Sequence, residues 1–367
     1  MKTSAVSLKK NSYRVLVGSG ILRNAGRYIA PLKLGTGAFV ITNSRLQKNF
    51  GSAVRRALEA CGVEVRFFTV PEGERSKSFS EVASLLAGLT AFDTKRQVFI
   101  VALGGGVVGD LAGFVASIYR RGIPYIQVPT TLLAQVDSSI GGKTAVDLEA
   151  GKNLAGTIYQ PRLVLSDVDL LKTLPARQLR AGLAEVIKYA FIRDAELMRY
   201  LEKNIPRILK KDSACLEHIV ARCAAIKARI VSLDEREERG IRTILNFGHT
   251  IGHAIEAAAG FRAYNHGEAV ALGMLVAGSI SRKLDLIRAR DFCRMEELIV
   301  RAGLPVKIAG VSLSKVIDAH YHDKKFKGAS NRFVLLSGIG KTLIMDNVAL
   351  GLIRQAIAER MGLLAKV

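Results

Sequence analysis

Tryptophan is absent from this sequence, and cysteine is scarce. The four cysteines are Cys61, Cys215, Cys223 and Cys293. None of them forms a C-x-x-C pair, which argues against a disulfide framework or a cysteine-based zinc site. The longest apolar runs, such as Val98–Leu103 and Ala269–Ala277, fall far short of the roughly 20 residues of a membrane-spanning helix. The polar N-terminus lacks the apolar run of a signal peptide, so we expect a cytoplasmic protein.

Acidic residues are few relative to basic ones: 32 Asp and Glu against 54 Lys and Arg give a net charge of +22. The basic residues are spread along the chain without a long tract, whereas nucleic-acid binders usually concentrate their charge on one patch. The charge therefore favours a basic surface with a site for a small anion over a specific nucleic-acid interface. A nucleic-acid-binding protein remains a rival hypothesis, and it predicts salt-sensitive polyanion binding without turnover.

The remaining composition is that of a globular protein, with 49% hydrophobic and 23% charged residues in 367 positions, enough for two domains. Short β-rich runs alternate with helical patterns in the first half. These runs are Ala38–Thr42, Val63–Val70, Gln97–Leu103, Tyr125–Val128 and Leu163–Ser166. The alternation predicts an α/β N-terminal domain with a parallel, Rossmann-like sheet. After Pro175 helical spacing dominates, which predicts an all-α C-terminal domain, and we expect the domains to span residues 1–178 and 179–367.

A glycine-rich segment follows the most apolar of these runs. Gly104, Gly106 and Gly109 fit the pattern G-x-G-x-x-G ahead of a predicted helix over Leu111–Tyr119. Such glycines allow the backbone to approach a pyrophosphate at a helix N-terminus. The acidic residue expected about 20 positions later is missing, and the motif is not on the first strand. The segment therefore predicts a phosphate cradle outside the usual Rossmann arrangement, with a tight glycine turn as the alternative.

The second glycine-rich loop, DSSIGGKT, resembles the end of a Walker A loop, but Asp137 occupies the position of its first glycine. A P-loop nucleotide hydrolase is therefore excluded. Lys143 and Lys152 remain candidates for binding phosphate or carboxylate groups.

Three of the six histidines lie between positions 249 and 266. His249 and His253 share one face of a helix, but Thr250 excludes the H-E-x-x-H metalloprotease motif. His266 and Glu268 resemble the H-x-E motif of zinc deaminases, but the P-C-x-x-C segment that this motif requires does not follow. Glu185 lies in the apolar run LAEVIKYAF, where a buried carboxylate requires a partner. Two imidazoles and one carboxylate with an open position would form a catalytic metal site. The alternative is a group of ordinary hydrogen-bonded histidines.

Several motifs now occur in order over roughly residues 40–330: GGGVVGDLAGFVAS, VPTTLLAQVDSSIGGKTAVD, GKNLAGTIYQP, TLPARQLRAGLAEVIKYA, LNFGHTIGHAIE and NHGEAVALGM. In the identity and order of these motifs, the chain resembles the 3-dehydroquinate synthases of the sugar phosphate cyclase superfamily. The resemblance implies conversion of 3-deoxy-arabino-heptulosonate 7-phosphate to 3-dehydroquinate and phosphate, in the shikimate route to aromatic amino acids. It implies NAD, which takes a hydride and returns it, a Zn²⁺ or Co²⁺ ion, and a homodimer. Elimination of phosphate and an intramolecular aldol closure complete the expected reaction.

The resemblance also implies roles for individual positions. The expected metal ligands are Glu185, His249 and His266. The expected cofactor positions are Glu72, Lys77, Gly105, Gly106, Val107, Asp110, Thr130, Thr131, Lys143 and Thr173. The expected substrate-side positions are Asp137, Lys152, Asn153, Lys188, Lys227, Arg242, Asn246, His253 and Lys324. Arg121 is expected to reach the substrate phosphate across a dimer interface.

The residues by themselves agree with an anionic substrate, because a carboxylate and a phosphate require a cluster of Lys and Arg. Two related enzymes remain as alternatives. Another cyclase, such as a 2-deoxy-scyllo-inosose synthase, would share the fold, NAD and the metal, although Lys152 and Asn153 in GKNLAGTIYQP suit a carboxylate substrate. A metal-dependent polyol dehydrogenase would instead release NADH stoichiometrically. His253 is a candidate for proton transfer or for orienting substrate, and the substrate phosphate is a candidate base for the elimination.

Overall fold

A computed structural model describes residues 1–94, 96–149, 151–321 and 331–363. Its strands are β1 (Lys2–Val6), β2 (Tyr13–Gly18), β3 (Gly37–Thr42), β4 (Glu64–Thr69), β5 (Val98–Gly104), β6 (Tyr125–Pro129), β7 (Lys143–Leu148), β8 (Gly151–Ile158), β9 (Leu163–Asp167), β10 (Arg332–Gly338) and β11 (Lys341–Asp346). Its α-helices are α1 (Ala25–Ile29), α2 (Ser44–Glu59), α3 (Phe79–Phe92), α4 (Gly106–Ile118), α5 (Ala176–Arg193), α6 (Ala195–Leu209), α7 (Ser213–Leu233), α8 (His249–Ala258), α9 (His266–Lys283), α10 (Ala289–Arg301), α11 (Leu313–Tyr321) and α12 (Leu350–Met361). Among these described residues, none of the helices combines the length and apolar composition that crossing a bilayer requires.

The chain divides into two compact units that are not continuous in sequence. The first unit combines Met1–Leu174 with Ser213–Arg236, and the second combines Pro175–Asp212 with Glu237–Val367. Helix α7 therefore belongs to the first unit, where it packs against β1 and β2. The sequence pattern assigned this helix to residues 179–367, because helical periodicity does not reveal which sheet or helix a segment packs against.

The first unit contains the predicted parallel sheet, with strand order β1-β2-β9-β6-β5-β3-β4. All neighbours pair in parallel except β1 and β2, which are antiparallel. Strand β5 is buried along its whole length, and its alternate residues enter different cores: Val101 packs on one face of the sheet and Ile100 on the other. Burial on both faces explains why this strand is an uninterrupted apolar run. The prediction of an α/β domain is confirmed.

A two-stranded antiparallel sheet, β7 with β8, follows the second glycine-rich loop in the same unit. Ala145 and Val146 are buried, whereas most of β8 is half-buried or exposed. The hairpin carries Lys143 at its first residue and Lys152 near the start of its second strand.

The second unit is helical, as predicted, but it also contains the hairpin β10–β11, which the sequence analysis did not predict. The apolar positions of β10, Phe333 to Leu336, are buried and pack next to α9, so they belong to the helical core. Helix α9 is the centre of this unit, because it contacts α5, α8, α10, α12 and β10. Glycines permit these close approaches: a Cβ on Gly273 would lie 1.9 Å from the carbonyl oxygen of Gly248.

Candidate functional site

Three predicted metal ligands converge in the second unit. Nε2 of His249 and Nε2 of His266 each lie 3.4 Å from Oε1 of Glu185. One potential ligand atom from each of the three residues lies within 4.8 Å of the others. Tetrahedral bonds of about 2.0–2.1 Å to zinc would hold ligand atoms about 3.4 Å apart, so the spacing suits a single ion. The structure thus brings together residues that come from three different helices.

The local structure explains how each ligand reaches this point. Glu185 lies in the middle of α5 and is fully buried. His249 is the first residue of α8, and Gly248 before it has a φ of 79°, a value that glycine adopts without strain. His266 is the first residue of α9, which begins with a capping box formed by Asn265 and Glu268. Two of the three ligands are therefore placed by helix N-termini.

The charges at this cluster are strongly coupled. Lys188, one turn after Glu185 on α5, forms a fully buried ion pair with it. Although burial alone would raise the pKa of Glu185, the positive charge of Lys188 and the two histidines hold that pKa well below its ordinary value. Burial, together with Lys188, lowers the pKa of His249 well below its ordinary value. Burial opposes the charge on His266 as well, but Glu185 and Glu256 outweigh it and raise the pKa of His266 to about 10.

Two oxygen atoms that were not predicted from the sequence lie near the Nδ1 atoms of His249 and His266. Nδ1 of His249 lies 3.2 Å from the backbone oxygen of Phe247. Nδ1 of His266 lies 3.6 Å from Oε2 of Glu256, whose side chain is 12% exposed. The available signal for Glu256 was its position three residues after His253 in HTIGHAIE, on the same helix as two histidines.

The other predicted residues of this unit lie around the same segment. The exposed His253 has its ring centroid 5.4 Å from that of His249 and 6.2 Å from that of His266. Arg242, which is buried, and Asn246 belong to the 3-10 turn Ile241–Asn246 that precedes α8. Lys324 lies outside the described residues.

In the first unit, the glycine-rich segment forms the turn from β5 into α4. Helix α4 begins at Gly106, with Gly105 as its N-cap, so it starts earlier than the predicted Leu111 and includes Val107 in its first turn. The turn leaves little room for a side chain at Gly104 or Gly105. A Cβ on Gly104 would lie 2.4 Å from Cβ of Val108, and one on Gly105 would lie 3.0 Å from Cγ2 of Thr131. The turn therefore leaves the first backbone N–H groups of α4 uncovered by its own side chains.

Strand β6 is adjacent to β5, and the predicted cofactor residue Thr130 follows it directly. Its backbone N–H donates to the carbonyl oxygen of Gly104 at 2.9 Å, which ties the two strand ends together. The carboxyl ends of parallel strands are where open α/β sheets bind ligands. The predicted phosphate cradle therefore lies at the edge of the sheet where such ligands bind, and its role stays a prediction.

Lys77 connects the cradle to the hairpin β7–β8. Its ammonium group, which is 3% exposed, donates to Oδ2 of Asp110 at 2.9 Å and also to Oδ1 of Asn153. Burial raises the pKa of Asp110 to about 6 although Lys77 opposes this. Burial lowers the pKa of Lys77, but Asp110 outweighs it and the net shift is upward. Three predicted residues, separated widely in sequence, are thus held in one polar cluster around the buried ammonium group of Lys77.

A second pair joins α7 to the π-helical turn Ala134–Ser138 that precedes β7. Nζ of the buried Lys227 lies 2.5 Å from Oδ1 of Asp137 and donates to its backbone oxygen at 2.8 Å. Nζ of Lys152 lies 3.7 Å from Oε2 of Glu74. Helix α7, which packs within the first unit, therefore places the predicted substrate residue Lys227 beside Asp137.

The remaining predicted positions are exposed, and their roles stay predictions. Glu72 pairs with Arg45 at 2.9 Å, and the hydroxyl of Thr173 donates to the carbonyl oxygen of Leu170 at 3.2 Å. Lys143 is exposed at the start of β7. Arg121 is exposed at a turn where its φ is 63°.

A cavity of about 820 Å³ lies elsewhere in the first unit. Residues of α1 and α2, including Gly26 and Ala57, line it together with Asp167 and Asp169. Among the residues that the structure describes, no predicted site residue lines this cavity, so it is separate from the predicted cofactor positions.

Both halves of the chain match models of one protein family. The model of the 3-dehydroquinate synthase N-terminal domain matches residues 67–181, and that of the C-terminal domain matches residues 182–326. A 3-dehydroquinate synthase from Desulforamulus reducens is 46% identical over 351 residues, covering 95% of this chain and 97% of that protein. One from Pelobacter propionicus is 45% identical over 349 residues, again covering 95% of this chain and 97% of that protein.

Among solved structures, a 2-deoxy-scyllo-inosose synthase complexed with carbaglucose-6-phosphate, NAD⁺ and Co²⁺ has a TM-score of 0.88 at 29% identity, covering 97% of this chain and 99% of that one. A 2-epi-5-epi-valiolone synthase from Streptomyces hygroscopicus with NAD⁺ and Zn²⁺ bound also has a TM-score of 0.88, at 27% identity, covering 97% and 98%. An iron-containing alcohol dehydrogenase, with a TM-score of 0.68 at 16% identity over 98% of this chain and 100% of that one, shares the fold alone.

Proposed function

The chain belongs to the 3-dehydroquinate synthase family, and on that basis we propose that it converts 3-deoxy-arabino-heptulosonate 7-phosphate to 3-dehydroquinate and phosphate. The proposed enzyme is a carbon–oxygen lyase that uses NAD and one divalent metal ion. The observation that carries the proposal is the convergence of Glu185, His249 and His266 on one point.

The donor set suits Zn²⁺ or Co²⁺. Oε1 of Glu185 is buried and accepts no hydrogen bond from the described part of the chain, yet it faces both imidazole Nε2 atoms. Lys188 pairs with the other carboxylate oxygen, Oε2, so Oε1 is the oxygen that would bind the metal ion. Two imidazoles and a carboxylate leave a coordination position open for substrate, as catalytic zinc sites do. Structural neighbours with bound Co²⁺ or Zn²⁺ support this assignment.

The first unit would hold NAD. The turn at Gly105 and Gly106 would accept the pyrophosphate on the N–H groups of α4, and Lys77 would supply a positive charge held in place by Asp110. Two solved structures with a similar fold contain NAD⁺, which supports NAD as the cofactor of this chain. When bound, NAD would supply reversible hydride removal and the metal would polarise the oxygen of the oxidised carbon.

The residues of the chain itself would bind, orient and transfer protons. Lys152, Asn153 and Lys227 of the first unit would supply cations and an amide for an anionic group. In the second unit, Lys188, Arg242 and Asn246 would do the same. His253, exposed beside the metal ligands, would orient a substrate hydroxyl or move a proton. Lys188 has a further role, because it stabilises the charged form of Glu185 that binds the metal.

The sister cyclases are the nearest alternative. Their similarity in fold is high, but sequence identity is 29% to the inosose synthase and 46% to the dehydroquinate synthase. The segment GKNLAGTIYQP, with Lys152 and Asn153 available for a carboxylate, also favours the dehydroquinate substrate. The polyol dehydrogenase alternative rests on a fold likeness alone.

The decisive experiment follows two products together. Purified protein is incubated with the heptulosonate phosphate, excess Zn²⁺ and a substoichiometric amount of NAD, while phosphate release and NADH absorbance are recorded. We expect many phosphates per NAD and no net NADH. Parallel reactions contain glucose 6-phosphate, which carbaglucose-6-phosphate mimics, or glycerol.

The outcomes separate the three hypotheses. Phosphate release from glucose 6-phosphate alone would assign a sister cyclase, and stoichiometric NADH from glycerol would assign a polyol dehydrogenase. Glu185→Ala and His266→Ala should abolish turnover. Glu202→Gln, which removes a charge paired with Arg294 on the same unit, should leave turnover unchanged. The homodimer and the cytoplasmic location remain predictions, and analytical ultracentrifugation tests the first.

A further inference from the structure

We propose that Glu256 is a positioning residue for the metal ligand His266. Its carboxylate accepts the Nδ1 proton of the imidazole, which keeps Nε2 as the nitrogen that binds the metal. This inference rests on the metal site of the proposed function and deepens it.

The two histidine ligands are arranged in the same way. Each presents Nε2 to Oε1 of Glu185 at 3.4 Å, and each presents Nδ1 to an oxygen on the outer side. For His249 this oxygen is the backbone carbonyl of Phe247, at 3.2 Å. For His266 it is Oε2 of Glu256, at 3.6 Å. Since a neutral imidazole carries its proton on either nitrogen, an acceptor at Nδ1 selects the tautomer with a free Nε2.

Glu256 is held at this place by its helix. It lies two turns after His249 on α8, and α8 packs against α9, whose first residue is His266. Its side chain is 12% exposed, so the carboxylate has lost most of its contact with water. The distance of 3.6 Å is slightly longer than a hydrogen bond, and a shift of a few tenths of an ångström would form one.

A carboxylate differs from a carbonyl in this role because it carries charge. A negative group on Nδ1–H makes the imidazole a more basic ligand and increases its affinity for a cation. The cluster already contains the positive charge of Lys188 beside Glu185, which disfavours a cation. Glu256 offsets that charge from the opposite side of His266.

The main alternative is that Glu256 and Nδ1 of His266 bind a second metal ion. Ligand atoms of His253, Glu256 and His266 also lie within 4.8 Å of one another, so they could hold an ion of their own. His266 would then bind one metal through each nitrogen. The number of metal ions per chain distinguishes the two: one ion agrees with positioning by Glu256, and two ions would overturn it.

The test measures zinc binding to the full-length protein, independently of turnover. Wild type, Glu256→Ala, Glu256→Gln and the matched control Glu202→Gln are stripped with a chelator. Zinc stoichiometry and Kd are then determined by competition with a chromophoric chelator. We expect Glu256→Ala to weaken zinc binding about 10–100-fold. Glu256→Gln, which keeps an acceptor oxygen without the charge, should recover part of this loss, and Glu202→Gln should bind like wild type.

Spectroscopy of the imidazoles gives a second readout. In zinc-loaded wild type labelled with ¹⁵N-histidine, His266 should show a protonated Nδ1 and a metal-bound Nε2, and the Nδ1 proton should exchange faster in Glu256→Ala. A wild type that binds no zinc would overturn the metal site and this inference together. A wild type that binds one zinc, with an unchanged Kd in Glu256→Ala, would overturn this inference alone.

Discussion

Nε2 of His266 lies 3.4 Å from Oε1 of Glu185, although one residue begins α9 and the other lies in the buried middle of α5. Helix α9 approaches α5 closely because it carries glycine next to the ligand: a Cβ on Gly267 would lie 2.2 Å from the carbonyl oxygen of Ala181. Gly267 thus permits the close helix contact that brings His266 to Glu185.

Glu185→Gln should be both inactive and unstable. The change removes the negative partner of Lys188, and an uncompensated buried charge costs about 3–5 kcal/mol. It also removes one of three metal ligands. Urea unfolding and zinc content measure the two effects separately. The double variant Glu185→Gln/Lys188→Met should regain stability but not zinc. Equal stability of Glu185→Gln and wild type would contradict the buried ion pair.

Gly273→Ala should destabilise the protein by about 1–3 kcal/mol, as overpacked cores do. The new Cβ would meet the carbonyl oxygen of Gly248 at 1.9 Å, so α8 and α9 must separate. Because these helices begin with His249 and His266, zinc affinity should fall as well.

A second glycine provides the control for this substitution. Gly351 lies in α12, and within the described part of the chain no heavy atom outside its immediate helical neighbourhood comes within 4 Å of the position that a Cβ would occupy there. Gly351→Ala should therefore be neutral or stabilise the protein by about 0.4–1 kcal/mol. Thermal unfolding and zinc titration of both variants check the prediction. A Gly273→Ala protein that matches Gly351→Ala in both measurements would refute it.

Asp110→Asn should change the pH dependence of stability of the cofactor-free protein. The folded pKa of Asp110, about 6, exceeds its ordinary value of 3.8, so folding favours the protonated form. The contribution of Asp110 to the free energy of unfolding is fully present below pH 3.8 and is lost as the pH rises towards 6. Wild type should therefore lose about 2–3 kcal/mol relative to Asp110→Asn across this interval and little more above it. Urea unfolding at a series of pH values measures the difference.

Asp169→Asn is the control with the opposite sign. Burial opposes its charge, but Lys172, Ser19 and Ser213 outweigh burial and lower the pKa of Asp169 below 3.8. Its stabilisation is present above pH 3.8 and is lost as pH falls through the lower folded pKa. The stability difference between wild type and Asp169→Asn should therefore stay level between pH 4 and 6. A parallel change in both variants would show that neither carboxylate is responsible.

The sequence alone determined the class of the two halves, and it predicted the site residues, of which the structure brings Glu185, His249 and His266 together. The strand at Val98–Gly104 is apolar at every position because both faces of the sheet are covered, and such a run is legible without a structure. The histidines of α8 were assigned to one face from their spacing. The ordered motifs led to the family, which the comparisons confirmed.

Only the tertiary structure decided which of these residues meet. Nothing in local periodicity places α7 in the first unit, since a helix has the same pattern whichever surface it packs against. The cluster of Lys77, Asp110 and Asn153 depends on where a sheet, a helix and a hairpin converge, and burial there, not residue type, raises the pKa of Asp110. Glu256 is an ordinary helix residue in sequence, and it gains a role only because close packing brings α9 and His266 to it. The sequence specifies which chemical groups are present, but packing sets the distances between these groups and the dielectric environment around them.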